Sequence, residues 1–299
     1  MPAVSVVIPS FNRGHLIRAC LASVLAQSFR DLEVIVVDDA STDDTREQVL
    51  SMPDSRVRYI AHTQNQGGAA ARNTGIRASG AEFVAFLDSD DIWEPLKLEK
   101  QIRMLGEKGD DFGFVYTWFV GRRPDGMEVW RMDKTIEGLA QTDLLIENCI
   151  GTFSSVVARR SVLNTVGGLD VKMRSCQDWD LFVRLNEVTK VCCVEEYLVQ
   201  YIQNRNDANR ISASPKSVLL GHRRMLQKIE RRFPGMSAEN QVASLTRFSD
   251  VYVSVGAVTD AAKAGLSIIS IAPSFRSVLT LVFLFVRTWR RILTRNVGY

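Results

Sequence analysis

Residues 83–91 read Phe83-Val84-Ala85-Phe86-Leu87-Asp88-Ser89-Asp90-Asp91, an apolar run that passes directly into three carboxylates. The run has the length and content of a short strand buried on both faces, and the acids mark where it leaves the core. Side chains of extended chain alternate, which puts Asp88 and Asp90 on one side and Ser89 and Asp91 on the other. Two carboxylates gathered at a strand end repel unless water screens them or a cation lies between them. Oxygen-only ligands favour Mg2+ or Mn2+, ions that keep several waters and bind substrate phosphates. The plainer reading of this stretch alone is a solvated acidic turn capping a strand.

Upstream, the same punctuation recurs. Residues 4–8 form a buried strand run closed by Pro9, and residues 15–27 carry apolar side chains at helical spacing. Residues 32–37 form a second strand that ends in Asp38-Asp39, followed by a Ser/Thr/Asp loop and a capped helix over 46–52. A third strand over 57–61 and a helix over 67–78 lead to the fourth strand. This alternation predicts an α/β fold with a mostly parallel sheet. In such sheets ligands collect at the carboxyl ends of strands. Pro9 to Asn12, Asp38-Asp39, Asn65 to Asn73 and Asp88 to Asp91 all lie just past such ends. No GxGxxG follows the first strand and no GxxxxGK[ST] occurs, which disfavours Rossmann dinucleotide binding and P-loop phosphate binding.

Downstream, Trp93-Glu94-Pro95 is expected to open a helix to about Gly106, and residues 112–120 and 128–131 to form two strands around Arg123-Pro124-Asp125-Gly126. Residues 139–147 read as helix, 153–158 as strand, and 160–166 as a helix stopped by Gly167-Gly168. Residues 177–184 are helical in spacing, with Asp178 in the first turn, where the helix dipole favours an anion. Residues 191–194 and 197–203 are expected as edge strands or loops.

Taken in order, these segments resemble family 2 glycosyltransferases, inverting enzymes of the GT-A fold that use nucleotide-activated sugars. The resemblance rests on Ser5 to Arg13, Val36 to Asp43, Asn65-Gln66-Gly67 with Arg72-Asn73, Phe86 to Asp91, and Gly167 to Asp170 ahead of Asp178-Trp179-Asp180-Leu181. It covers roughly residues 3–205. It implies that Pro9 and Phe11 lie against the nucleobase, with Asn12 beside them, and that Asp39 accepts a hydrogen bond from the base. It further places Arg72 near the nucleotide, Asp88 near the ribose or the metal, and Asp90 on a Mn2+ or Mg2+ that bridges the diphosphate.

Inversion by direct displacement needs a base on the face opposite the leaving diphosphate. The family's base is the aspartate of a Glu-Asp pair ahead of an aromatic-Asp-Leu run, which corresponds here to Asp178, with Gln177 in the glutamate's place. Asp180 reads as a helix-stabilising or packing residue, and Asp38 and Asp91 as supporting or solvated acids. Asn204 stands where many non-processive relatives carry a histidine. No Gln-x-x-Arg-Trp occurs, which argues for one sugar per encounter rather than processive synthesis.

The 299 residues are 46% hydrophobic and 24% charged, a globular composition, and the five cysteines form no CxxC pair. The expected setting is a reducing cytosol, with no signal peptide ahead of residue 4. Charge is unevenly spread: residues 1–215 hold 24 Lys and Arg against 30 Asp and Glu, and residues 216–299 hold 13 against 4. Two parts are therefore expected, a GT-A domain over 1–213 and a basic helical extension over 214–299. Residues 277–286 are apolar but too short to span a bilayer, which takes about 20 residues. With Arg287, Trp289, Arg290, Arg291 and Arg295 following, they fit a helix lying on the inner face of an anionic membrane, or one whose apolar face is buried in a helical hairpin. Nucleic acid is not an expected partner, since no reader motif occurs.

The expected activity is divalent-metal-dependent transfer of one sugar, with UDP as carrier, to a glycan or lipid-linked acceptor in cell-surface polysaccharide assembly. The alternative is an inactive nucleotide-binding or scaffold protein that keeps the fold, for which Gln177 and Asn204 are the supporting departures.

Overall fold

A computed structural model describes residues 1–204, 207 and 210–273. The expected last helix and its basic flank lie outside these residues. The first half alternates as β1 (Val4–Ser10), α1 (Gly14–Leu25), β2 (Leu32–Asp38), α2 (Thr45–Leu50), β3 (Val57–Ala61), α3 (Gly68–Ala78) and β4 (Phe83–Phe86). There follow β5 (Ile92–Trp93), α4 (Lys97–Lys108), β6 (Phe112–Arg122), β7 (Glu128–Met132), α5 (Gln141–Ile146), β8 (Val157–Arg159), α6 (Arg160–Thr165), α7 (Gln177–Asn186) and β9 (Lys190–Ile202). Three helices close the described chain, α8 (Pro215–Glu230), α9 (Ala238–Val255) and α10 (Val258–Ile271).

The strands form one sheet in the order β3-β2-β1-β4-β8-β6-β9-β5, with β7 paired to β6. β3, β2, β1 and β4 run parallel, so their carboxyl ends share one edge. β8 runs antiparallel to β4 and β6, and β6 runs parallel to β9. The far half of the sheet therefore brings the start of β8 and the ends of β6 and β9 to that same edge. The core between sheet and helices is built from Val6, Ile8, Val34, Val36 and Ala85 on strands and Ile17, Leu21 and Val24 on α1, all inaccessible to solvent.

Four expectations need correction. Pro9 does not close β1, which continues to Ser10. The pairing with β4 ends at Val7 opposite Phe86, so the ladder bond that Pro9 cannot donate has no partner strand there. Trp93 belongs to a short strand against β9 rather than to a helix, and α4 begins at Lys97. Residues 153–155 form a 3-10 turn ahead of β8, because the Ser155 hydroxyl turns back to the Thr152 carbonyl and the Ser154 hydroxyl is drawn to Asp91. Residues 190–202 form one long strand between β6 and β5 rather than separate edge pieces.

Helix α3 lies so close to β1 that only glycine fits at 75, where an added Cβ would come within 2.3 Å of a Val7 methyl. Gly75→Ala is expected to lower stability by about 1–3 kcal/mol through overpacking, read as a fall in the urea midpoint at unchanged m.

The chain divides into two compact units. Of the described residues, the first comprises 1–141, 149–171, 177–204 and 207, and the second 142–148, 172–176 and 210–273. In the second unit, α8 and α9 start at serine caps, Ser214 accepting from Ser217 N–H and Ser237 from Asn240 N–H. Gly256 ends α9 in the left-handed conformation, and α10 returns along it as a hairpin around Leu245, Ala264 and Ile268. Among the described residues no helix is long and apolar enough to cross a membrane.

Candidate active site

At the shared strand edge the loops after β1 and β2 interlock. Asn12 adopts a positive φ of 52°, a conformation that asparagine tolerates, and its N–H donates to Ser41 Oγ at 2.8 Å. Thr42 N–H returns a bond to Asn12 Oδ1 at 2.8 Å, and Arg13 N–H reaches Thr45 Oγ1 at 2.9 Å. Pro9 and Phe11, flanking this clip, remain half-buried, leaving ring surface accessible. Asp38 does not face solvent: it accepts from Tyr59 O–H and Ser41 N–H.

Asp39 is 3% exposed and ties three segments together. Its N–H donates to the Ser10 carbonyl, its Oδ1 lies 2.7 Å from His62 Nδ1 and accepts from Gln66 N–H at 2.9 Å, and its Oδ2 accepts from Gly67 N–H at 2.6 Å. Gly67 enters α3 at φ 90° and ψ 159°, a backbone state open in practice to glycine alone. Gly67 therefore marks the sharp turn that brings two N–H groups onto Asp39.

Beyond β4, Ser89 and Asp91 are buried while Asp88 and Asp90 keep accessible surface. Asp88 pairs with Arg72 Nη2 from α3. Arg72 Nη1 reaches Gln177 Oε1 at 3.3 Å, and its guanidinium lies 4.1 Å from the centre of the Phe153 ring. The Ser154 hydroxyl accepts Asp88 N–H at 3.0 Å and donates to Asp91 Oδ2 at 2.6 Å, while Asp91 Oδ1 accepts Ile202 N–H from the end of β9 at 3.0 Å. Asp91 is thus a fully buried brace, not a solvated acid. Burial pushes its carboxyl well above the usual range, with the charges of Asp90 and Asp88 adding to the shift.

Asp178 sits in the first turn of α7 and accepts Trp179 N–H at 2.8 Å. Its carboxyl is pushed up to about 6, chiefly by the protein packed round it, with the charge of Asp88 in the same direction and the Trp179 N–H bond and Arg72 opposing. Part of its surface stays accessible. Asp180 turns away to pair with Arg184 at 2.9 Å.

These bonds bring Asp39, Arg72, Asp88 and Asp178 round the N-terminal half of α3. Sequence patterning missed His62, Thr74, Phe153 and Ser154, which hold the acids in place. For His62 a signal existed, since it stands directly past β3 at the same strand edge.

No group of three or more His, Cys, Asp or Glu side chains able to hold a metal occurs among the described residues. The donor set after β4 is all oxygen, and Asp88 and Asp90 keep accessible surface. That suits a hard divalent ion which takes its remaining ligands from water and a diphosphate, as Mg2+ and Mn2+ do. Buried polar atoms without a partner are otherwise few here, and two belong to this region, Ser10 Oγ and Arg72 Nε.

The profile of glycosyl transferase family 2 matches residues 5–167. Among curated proteins, the chain is 46% identical over 113 residues to the UDP-Glc:alpha-D-GlcNAc-diphosphoundecaprenol beta-1,3-glucosyltransferase WfgD of Escherichia coli, covering 38% of this chain and 44% of that protein. It is 37% identical over 160 residues to the putative teichuronic acid biosynthesis glycosyltransferase TuaG of Bacillus subtilis, covering 53% of this chain and 63% of the relative. Both matches therefore span less than two thirds of the relative's length. Among solved structures, S. aureus TarS 1-349 in complex with UDP-GlcNAc superposes with a TM-score of 0.63 at 17% identity, over 99% of this chain and 93% of that one. That likeness is one of fold, and it bears out the GT-A expectation.

Proposed function

Since this chain belongs to glycosyltransferase family 2, we propose that it moves one sugar, with inversion, from a UDP-sugar to a glycan or lipid-linked acceptor in cell-surface polysaccharide assembly. The observation that carries the proposal is the bridge made by Arg72, which joins Asp88 on the donor side to Gln177, the neighbour of Asp178. The relatives support the substrate classes: WfgD is named for UDP-Glc and a lipid diphosphate-linked GlcNAc, TuaG for teichuronic acid, and TarS is seen with UDP-GlcNAc.

In this reading Pro9 and Phe11 offer apolar surface to the base, and Asp39 accepts its ring N–H. Arg72 places positive charge beside the diphosphate. A divalent cation held by Asp88 and Asp90 would supply charge to the departing diphosphate oxygen. Asp178 takes the acceptor's hydroxyl proton as the new C–O bond forms and the bond from the anomeric carbon to the diphosphate breaks; UDP leaves.

The test is incubation with UDP-Glc or UDP-GlcNAc, Mn2+ and a GlcNAc-diphosphate-lipid analogue, with release of UDP and the anomeric configuration of the product both measured. Expected are one sugar added and an inverted anomeric centre. Retained configuration, or no transfer from any UDP-sugar in a panel, would remove the proposal.

A further inference from the structure

His62 belongs to no motif that pointed to the fold, yet its ring is only 8% exposed and both its nitrogens are engaged. Nδ1 lies 2.7 Å from Asp39 Oδ1, and Nε2 lies 3.0 Å from Thr74 Oγ1 on α3. The Thr74 hydroxyl also accepts Arg77 Nη2–H at 3.0 Å. The Asp39 carboxylate can only accept, so His62 Nδ1 carries a hydrogen and donates to it, while Nε2 pairs with the Thr74 hydroxyl that Arg77 also holds. His62 N–H is fixed as well, donating to the Asp38 carbonyl at 2.8 Å. The ring thus cannot swing without breaking both of its bonds, on a backbone that is itself pinned.

For Asp39 this has a definite consequence. A carboxylate offers about four acceptor positions. His62 and Gln66 N–H take both on Oδ1, and Gly67 N–H takes one on Oδ2, which leaves a single lone pair on Oδ2 among the described residues. Resting on the donor reading given above, we propose that His62, held by Thr74 and Arg77, is the positioning residue that aims this one remaining acceptor at the nucleobase and so restricts the donor to bases that present a ring N–H. Uracil presents N3–H to such an acceptor. Cytosine presents an unprotonated N3, and two lone pairs would then face each other. Without His62, Oδ1 loses a buried partner, and the carboxylate, held only by the Gln66 and Gly67 N–H groups, has a second open acceptor position, on Oδ1. Discrimination should then suffer more than fold or chemistry.

The experiment measures Kd for UDP, CDP and GDP by calorimetry, with KM and kcat for the UDP-sugar, in wild type, His62→Ala, His62→Gln and Thr74→Val. His62→Gln keeps an N–H that can reach Asp39. Wild type is expected to bind UDP at least tenfold tighter than CDP. His62→Ala should lose about tenfold in UDP affinity with little loss in CDP affinity, raise KM and leave kcat within about twofold. His62→Gln should recover most of the UDP preference, and Thr74→Val should fall between. A His62→Ala protein that folds and keeps the wild-type ratio of UDP to CDP affinity overturns the inference, as does one that loses affinity for both equally. Loss of affinity in His62→Gln equal to that in His62→Ala points to packing alone and also overturns it. Wild type that prefers GDP would strike the UDP reading instead, and the same four proteins then test His62 against guanine, whose N1–H Asp39 would accept.

Discussion

Asp178→Asn is expected to cut sugar transfer about a hundredfold to ten-thousandfold while leaving UDP affinity in place. The substitution is well matched to the site. Asp178 contributes to the start of α7 by accepting Trp179 N–H, and the carbonyl oxygen of asparagine can keep that bond, so the helix should form as before. What asparagine cannot do is take the acceptor's proton. Asp39, which the reading puts on the nucleobase, is held by His62, Gln66 and Gly67, all unchanged in this variant, so donor binding should not follow the loss. Single-turnover transfer with the UDP-sugar bound in advance separates the two. Unchanged transfer in a folded Asp178→Asn protein would remove the base assignment.

The pH profile carries a linked expectation. Burial raises the Asp178 carboxyl to about 6, so the base is charged and competent above that pH and protonated below it. With one essential base, kcat should fall about tenfold per pH unit once well below 6 and level off above it. The direction distinguishes this group from an exposed carboxylate, which would stay charged to about pH 4. In Asp178→Asn the residual rate should lose that limb.

The parallel half of the sheet was legible because each strand there is an apolar run stopped by chemistry: Pro9 to Asn12, Asp38-Asp39 and Asp88 to Asp91. The same cue failed for β9. Glu195 and Glu196 interrupt its apolar pattern and divide it into two pieces, yet Thr117 lies opposite Val194 and Trp118 opposite Tyr197. The two glutamates are looped out in a bulge while the strand runs on. The turn at Phe153 to Ser155 misled in the reverse sense, since its residues have the content of a strand, but two of its hydroxyls are committed to local and cross-sheet bonds. In the site, carboxylates could be picked out because charge at a strand end needs a reason. Thr74 and Ser154 could not, because the partners that give them a role lie 12 to 66 residues away in sequence, and for His62 the one cue was its place directly past β3.

Asp90→Asn tests the donor side and should be nearly as damaging to catalysis as loss of the base. The variant removes one unit of negative charge and little volume. A pair of unit charges about 4 Å apart in a partly buried site interacts by roughly 4 kcal/mol, which corresponds to about a thousandfold in rate if it is expressed only as the diphosphate departs. Asp88 cannot make up the difference, because Arg72 already claims one of its oxygens. Expected, then, are a fall in kcat of about a thousandfold at fixed Mn2+, a steep rise in the Mn2+ needed for half-maximal rate, and weaker Mn2+ binding by calorimetry with UDP present. Asp91→Asn should behave oppositely although it is the next residue. Asp91 is buried and braces Ser154 and Ile202, so its loss should appear as lowered stability with the Mn2+ response kept. The contrast follows from the alternation of side chains along residues 88–91, two with accessible surface and two turned inward. A folded Asp90→Asn protein with a wild-type rate and Mn2+ response would mean that the acids past β4 serve the fold alone.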